Sequence, residues 1–89
     1  MPKVVITHGV SDVGNWRKGK EERAGAIGAM GGVNVVDYVA QDGSKAVAIT
    51  FDTDDVATVV ETIASPPPEL ADAMKRHGLI PPLTIYVAQ

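Results

Sequence analysis

Four apolar runs rich in β-branched residues predict four strands. They read KVVITH (3–8), VNVVDYVA (33–40), KAVAITFD (45–52) and LTIYVA (83–88). Runs of this length and composition, bounded by Gly, Pro, Asp and Ser, are typical of strands. Pro81-Pro82 predicts a rigid link that ends just before the last strand.

The stretch between the first two runs has the spacing of a helix. Ser11 or Asp12 is placed to cap it, and Gly31-Gly32 ends it. Glycines at 25 and 28 weaken the helix. We expect either that they let the helix approach the sheet closely or that the helix breaks at them. The apolar stripe uses the aliphatic stem of a lysine to fill one gap. Its members are Val13, Trp16, Lys20, Ala24, Ile27 and Met30.

A second helical stretch follows the third run and is predicted to be split. Thr53 caps it, and acidic residues at 54 and 55 occupy the first turn, where they favour the helix dipole. The prolines at 66–68 break the helix, which restarts over 69–77 and ends at Gly78. The buried stripe of its first half is Val56, Val59, Val60 and Ile63.

The hairpin between the second and third strands has two possible registers. A two-residue Asp42-Gly43 turn pairs Val36 with Ile49. A three-residue loop with a left-handed Gly43 pairs Val36 with Ala48, and this alternative separates apolar from polar positions better. We therefore predict the three-residue loop. One face of the sheet then carries Val33, Val35, Val39, Val47, Ile49 and Phe51.

The order of elements is βαββαβ, which predicts an α+β, ferredoxin-like fold over a single domain, residues 1–89. Two crossovers around one hairpin give a four-stranded antiparallel sheet with helices on one face. The opposite face is too apolar to be left in water, which suggests a homodimer, although a monomer with a half-solvated sheet is the alternative. The interface is expected to include Asn34, Val36, Tyr38, Thr50 and Tyr86.

Composition narrows the class of protein. With 89 residues and 4% aromatics, the core is thin, and burial against a second copy helps to stabilise it. A net charge of −3 offers no basic surface for nucleic acid. The absence of cysteine, of a long apolar span and of a signal-peptide pattern predicts a cytoplasmic protein without disulfides and without membrane contact.

The sequence resembles the dimeric α/β-barrel superfamily, which includes antibiotic-biosynthesis-type monooxygenases, stress-responsive barrel proteins, haem-degrading monooxygenases and muconolactone isomerases. The resemblance rests on DVGNWRKGKEERAGAIGAMGGV, FDTDDVATVVETIASP and ELADAMKRHGL, each leading into or out of a strand. It covers nearly the whole chain. It implies that two sheets pair into a barrel and that ligands lie between the sheet and the helices of one subunit.

The topology brings several chemistry-bearing residues to one end of the predicted sheet. His8, Trp16 and His77 are candidates for the mouth of a sheet–helix cleft, and His8 and Asp37 face the helices. We assign His8 and His77 as candidate acid/base catalysts, because an imidazole titrates near neutral pH. Trp16 and Asp37 are candidate ligand-binding residues. Each also has a structural interpretation: Trp16 as core, His8 as a partly buried strand end, His77 at a helix C-terminus.

Two kinds of site are not expected. Two histidines without a third ligand make a metal site improbable. The haem-degrading members resemble one another in an Asn on the first strand and a Trp and His on the second helical segment, and only His77 matches. We therefore do not expect haem degradation. The leading hypothesis is a protein that binds a small apolar or aromatic molecule. If it is an enzyme, the resemblance implies cofactor-independent oxygenase, isomerase or cyclase chemistry, so that no cofactor is expected. The alternative is a non-catalytic binding or assembly module.

Overall fold

A computed structural model describes all residues, 1–89, as one four-stranded sheet and four helices. The predicted ferredoxin-like α+β fold is confirmed. No helix has the length and apolar character needed to span a bilayer. In chain order the elements are β1 (Lys3–Val10), α1 (Val13–Lys18), α2 (Lys20–Ala29), β2 (Gly32–Val39), β3 (Ala46–Thr53), α3 (Val56–Ala64), α4 (Pro68–Arg76) and β4 (Leu79–Val87).

The strands lie in the order β2-β3-β1-β4, and all neighbours are antiparallel. Alternation along β1 and β3 places one set of side chains under the helices, so that Val4 and Phe51 are fully buried. Val35 packs against this core, as predicted. The helix-covered face is completed by Ile6, His8, Val10, Val47, Ile49 and Thr53.

The predicted register of the hairpin is wrong by two residues, because the loop is longer than three residues. Val36 pairs with Thr50, and the last backbone bond runs from the Ala40 N–H to the Ala46 carbonyl. Gly43 is left-handed, with φ of 80°, as expected. A shift of two preserves the face of each residue, so the prediction of the faces largely survives.

A bulge in β2 moves one valine to the opposite face. The register with β3 shifts between Val33 and Val36, and Asn34 has a left-handed φ of 55°. Val33 therefore pairs with Asp52 on the uncovered face, where it is 45% exposed. The alternating pattern gave no sign of the extra residue that a bulge inserts.

The first helical stretch breaks at Gly19, not at Gly25 or Gly28. A side chain at Gly19 would collide with the ring of His77, whereas a Cβ at Gly25 or Gly28 meets nothing within 4 Å. The expectation of close approach at 25 and 28 is thus wrong. Lys20 is exposed, and Arg23 is buried in the stripe instead.

Two further boundaries differ from the predictions. Asp55, not Thr53, caps α3: its carboxylate accepts from the Thr58 backbone N–H at 3.0 Å, while Thr53 Oγ1 accepts from Asp55 N–H. Strand β4 begins at Leu79, so Pro81-Pro82 lies within an edge strand and is no mere link. Proline is tolerated at this place because an edge strand has one unpaired side.

Candidate functional site

A cavity lies between the sheet and helices α2 and α4, and three of the predicted site residues line it. His8 reaches it from β1, Trp16 from α1 and His77 from the C-terminal end of α4. The remaining wall is mostly aliphatic, and the cavity has a volume of about 60 Å³. Hereafter we call this space, bounded by His8, Trp16 and His77, the inner cavity.

His8 faces the inner cavity as a neutral imidazole. Nδ1 donates a hydrogen bond to the Gly9 carbonyl at 2.8 Å, so the lone pair is on Nε2. The residue is 7% exposed, and this burial, reinforced by the positive charge of Arg23, lowers the pKa of His8 below its ordinary 6.5, although the bond to Gly9 opposes the shift. At neutral pH the ring is therefore a proton acceptor.

Trp16 contacts two other members of the site. Its ring meets the ring of His8 edge to face, with centroids 6.2 Å apart. The guanidinium of Arg23 lies over the indole ring, 3.9 Å from the ring centroid, and it also donates to the Trp16 carbonyl at 2.8 Å. With 1% exposure, the indole is fixed in place.

Asp37 faces the helices, as predicted, but its carboxylate binds Arg23 and does not line the inner cavity. Arg23 Nη2 and Asp37 Oδ2 are 2.6 Å apart in a nearly dry pair that joins α2 to β2. Arg23 Nε and Asp37 Oδ1 are buried without partners. Asp37 is therefore not placed to contact a ligand in the inner cavity. Arg23, which the sequence analysis did not single out, does line the cavity.

His77 closes the inner cavity at its α4 end. Its Nε2 donates to Glu22 Oε1 at 2.8 Å, and the same carboxylate accepts two bonds from Arg76 Nη1 and one from Nη2. These bonds, those from Arg76 foremost, hold the pKa of Glu22 below its usual value. Gly19 makes room for the imidazole, which is 9% exposed. A carboxylate-oriented histidine therefore lines the same cavity as His8.

Every charged side chain that lines the inner cavity has an opposite partner. Arg23 is paired with Asp37, and Glu22 with Arg76. No group of three potential metal-ligating residues occurs. The charge balance and the aliphatic wall favour a neutral, apolar ligand, since a buried unpaired charge is costly.

The face of the sheet opposite the helices, which we call the bare face, is open and apolar. Val36 is 44% exposed, Tyr38 50% and Tyr86 55%. Asn34 lies at the β2 bulge and donates to Asp52 at 3.0 Å, and Thr50 pairs with Val36. The five predicted interface residues therefore share one surface.

Solved structures with the same architecture match almost the entire chain. A "putative antibiotic biosynthesis monooxygenase" from Bordetella bronchiseptica superposes with a TM-score of 0.73 at 12% identity, covering 99% of this chain and 94% of that one. The chain has the ferredoxin-like fold of the antibiotic biosynthesis monooxygenases. At this identity the likeness shows the fold alone.

Two other solved structures agree. One from Deinococcus radiodurans with the same printed name has a TM-score of 0.61 at 17% identity, covering 100% of this chain and 91% of that one. A dimeric ferredoxin-like protein from an uncultured marine organism has a TM-score of 0.59 at 9% identity, covering 97% and 84%. No family model matches the sequence, and no curated protein is similar to it.

Proposed function

We propose that the protein binds a small, mostly apolar or aromatic molecule in the cleft between sheet and helices. The observation that carries the proposal is the inner cavity itself, since it is lined by both histidines and the only tryptophan. The fold shared with antibiotic biosynthesis monooxygenases agrees with it. An engineered apolar cavity of about 150 Å³ binds benzene. A cavity of about 60 Å³ must therefore widen by side-chain rotation to hold one ring.

The chemistry that this arrangement favours is proton transfer to or from a neutral substrate. His8 Nε2 is the base, because the Gly9 carbonyl fixes its tautomer and burial keeps it unprotonated. His77, hydrogen-bonded to Glu22, is the second acid/base group. Deprotonation of a phenol or an acidic C–H between them is the first step of cofactor-independent oxygenation, isomerisation or cyclisation. Trp16 supplies a flat wall for the ring.

The proposal includes a homodimer that joins two bare faces. A monomer rarely leaves a contiguous apolar surface of this kind in water. Tyr38 and Tyr86 are about half exposed in the single chain, and both are large residues of the type enriched at interfaces. A dimeric ferredoxin-like protein of known structure shares the architecture. The bare face of a second copy is the occupant that we propose for this surface.

Quenching of Trp16 fluorescence by nitrobenzene, a neutral aromatic quencher, tests the ligand proposal. Because the indole is 1% exposed, collisional quenching from solvent is weak, and bound quencher gives a saturable signal. We expect saturation in the wild type. The two histidines should report the same event through shifts of their imidazole resonances, assigned with His8→Gln.

Two alanines of α4 provide a matched pair of variants. Ala73 lines the inner cavity and is 8% exposed, so Ala73→Leu fills the space and should abolish saturable quenching. Ala71 lies on the exposed side of the same helix, and Ala71→Leu should leave the titration unchanged. Equal, non-saturating quenching in all three proteins would contradict a ligand site at Trp16.

The second candidate is a non-catalytic binding or assembly module. The small volume of the inner cavity and the full pairing of its charges favour it. Under this alternative the histidines serve packing and the bare face is the functional surface. Failure of nitrobenzene to saturate, together with a stable dimer, would select it.

A further inference from the structure

The inner cavity shares a wall with a second, larger space on the outside of the helices. This space, which we call the outer groove, runs between α2, α3 and α4 and has a volume of about 620 Å³. Ligand pockets in proteins measure roughly 300–1,000 Å³. The outer groove falls in this range and the inner cavity does not. Five residues line both spaces: Glu22, Ala26, Met30, Leu70 and Ala73.

Only two members of this shared wall carry a long side chain that no polar partner holds in place. Ala26 and Ala73 have no side chain beyond Cβ, and Glu22 is held by Arg76 and His77. Met30 and Leu70 remain. Methionine has three rotatable bonds and adapts readily to a changed cavity, and Leu70 is only half buried. Met30 and Leu70 therefore lie between the two spaces as the side chains whose rotation would connect them.

We propose that the inner cavity and the outer groove are two parts of one binding space, gated by Met30 and Leu70, which takes an elongated neutral ligand with one apolar end and one hydrogen-bonding end. The inference rests on the proposed function and defines the shape of its ligand. The apolar end lies against Trp16, where the wall is aliphatic and the charges are paired. The other end meets Thr62 and Glu69, which line only the outer groove and form no side-chain hydrogen bond.

Two reporters at opposite ends of the binding space test the proposal. Trp16 reports the inner end by quenching. A single cysteine at Ala29, which lines the outer groove but not the inner cavity, reports the outer end through its rate of alkylation by N-ethylmaleimide. The chain has no cysteine, so the introduced thiol is the only one labelled. Ala71→Cys, on the exposed side of α4 and outside both spaces, is the control.

The probes are nitrobenzene, which is one ring long, and 4-hydroxy-4′-nitrobiphenyl, which is two rings long with a hydroxyl end. We expect both to quench Trp16. Only the biphenyl should also slow alkylation in Ala29→Cys, at least fivefold and with the same concentration dependence as the quenching. Ala71→Cys should react at an unchanged rate with either probe.

The outcomes separate this inference from the function on which it rests. The biphenyl could quench Trp16 without protecting the cysteine at 29, or protect that cysteine without quenching Trp16. Either result overturns the joined space but does not contradict a ligand site in the inner cavity. If neither probe gives saturable quenching, both proposals are overturned. The gate has its own test: Leu70→Ala should raise the association rate of the biphenyl at least threefold. Val60→Ala, exposed on α3 and lining neither space, should leave that rate unchanged.

Discussion

The two faces of the sheet are both apolar, yet only one is covered. On the helix side Val4 and Phe51 are 0% exposed, and on the bare side Val36 is 44% and Tyr86 55% exposed. The same strands supply both sets, because successive side chains point to opposite faces. A chain of 89 residues has helices enough for one face only. The uncovered face is therefore the surface on which the proposed dimer depends, and the covered face carries the inner cavity.

The difference also appears in the polar groups. On the covered side they cluster, since His8 and Arg23 contact Trp16 and Asp37 pairs with Arg23. On the bare side the polar atoms are dispersed, with Asn34 bonded to Asp52 at the β2 end. Buried polar groups concentrated in one place are expected at sites of function, whereas dispersed ones suit an interface.

The largest expected effect comes from truncating the covered face. Phe51→Ala should lower the free energy of unfolding by about 3–5 kcal/mol, the range for buried phenylalanine. The loss should be the same at low and high protein concentration, because Phe51 packs within one subunit. Urea denaturation at two concentrations measures it. Tyr86→Ala is the bare-face counterpart, and its effect should grow with protein concentration, because the proposed dimer is more populated at high concentration.

Breaking the ion pair beneath Trp16 should have the next largest effect. Asp37→Ala leaves the Arg23 guanidinium buried and uncompensated, at a cost of about 3 kcal/mol in the free energy of unfolding. The double variant Arg23→Leu, Asp37→Leu should recover most of that stability, because apolar residues replace both charges. A double-mutant cycle by urea denaturation measures the coupling. Additive losses from the two single changes would contradict a coupled pair.

A charge on the bare face tests the interface itself. Tyr38→Glu should raise the dissociation constant of the dimer at least about 100-fold, equivalent to about 2.7 kcal/mol. Sedimentation at several concentrations provides the readout. The matched control is Val60→Glu, at a residue 43% exposed on α3, which should leave the dimer intact. A Tyr38→Glu protein that sediments like the wild type would move the interface to another surface.

Periodicity was sufficient to predict the fold and which face most strand residues occupy. Val35, Val47 and Ile49 lie under the helices because alternation and burial agree along their strands. The prediction from periodicity failed at β2. There the bulge places Val33 on the bare face, and the longer loop changes the residue that pairs with Val36. Neither event leaves a mark in the apolar pattern, since an extra residue in a bulge needs no special composition.

The sequence predicted that the two histidines and the tryptophan lie close together, but it did not predict the charged pair beside them. His8, Trp16 and His77 come together because the topology places their elements at one end of the sheet. Arg23 was missed, since arginine followed by alanine and glycine reads as solvent-exposed helix. Its signal lay in the combination of Asp37 at an inward-facing position and an arginine seven residues after Trp16. An inward-facing acid demands a basic partner.

The smallest expected effect is a change in the pH dependence of stability that comes from the covered face. The pKa of His8 is lowered in the folded protein, mainly by burial, from the 6.5 of an exposed histidine. At a pH between the folded and unfolded pKa values, His8 is protonated in the unfolded chain and neutral in the folded one. The free energy of unfolding therefore falls as pH decreases from about 6.5 toward the lowered pKa, and it levels off below.

Replacing this imidazole should flatten that part of the profile. In His8→Gln the free energy of unfolding should vary less between pH 7.5 and 5.5 than in the wild type, measured by urea denaturation at fixed ionic strength. His77→Gln should retain the His8 contribution. The carboxyls with lowered pKa values, Glu22 and Asp55 among them, titrate below this window and do not obscure it. An unchanged slope in His8→Gln would mean that His8 is hydrated in the folded protein, and the case for it as a dry, neutral base in the inner cavity would be lost.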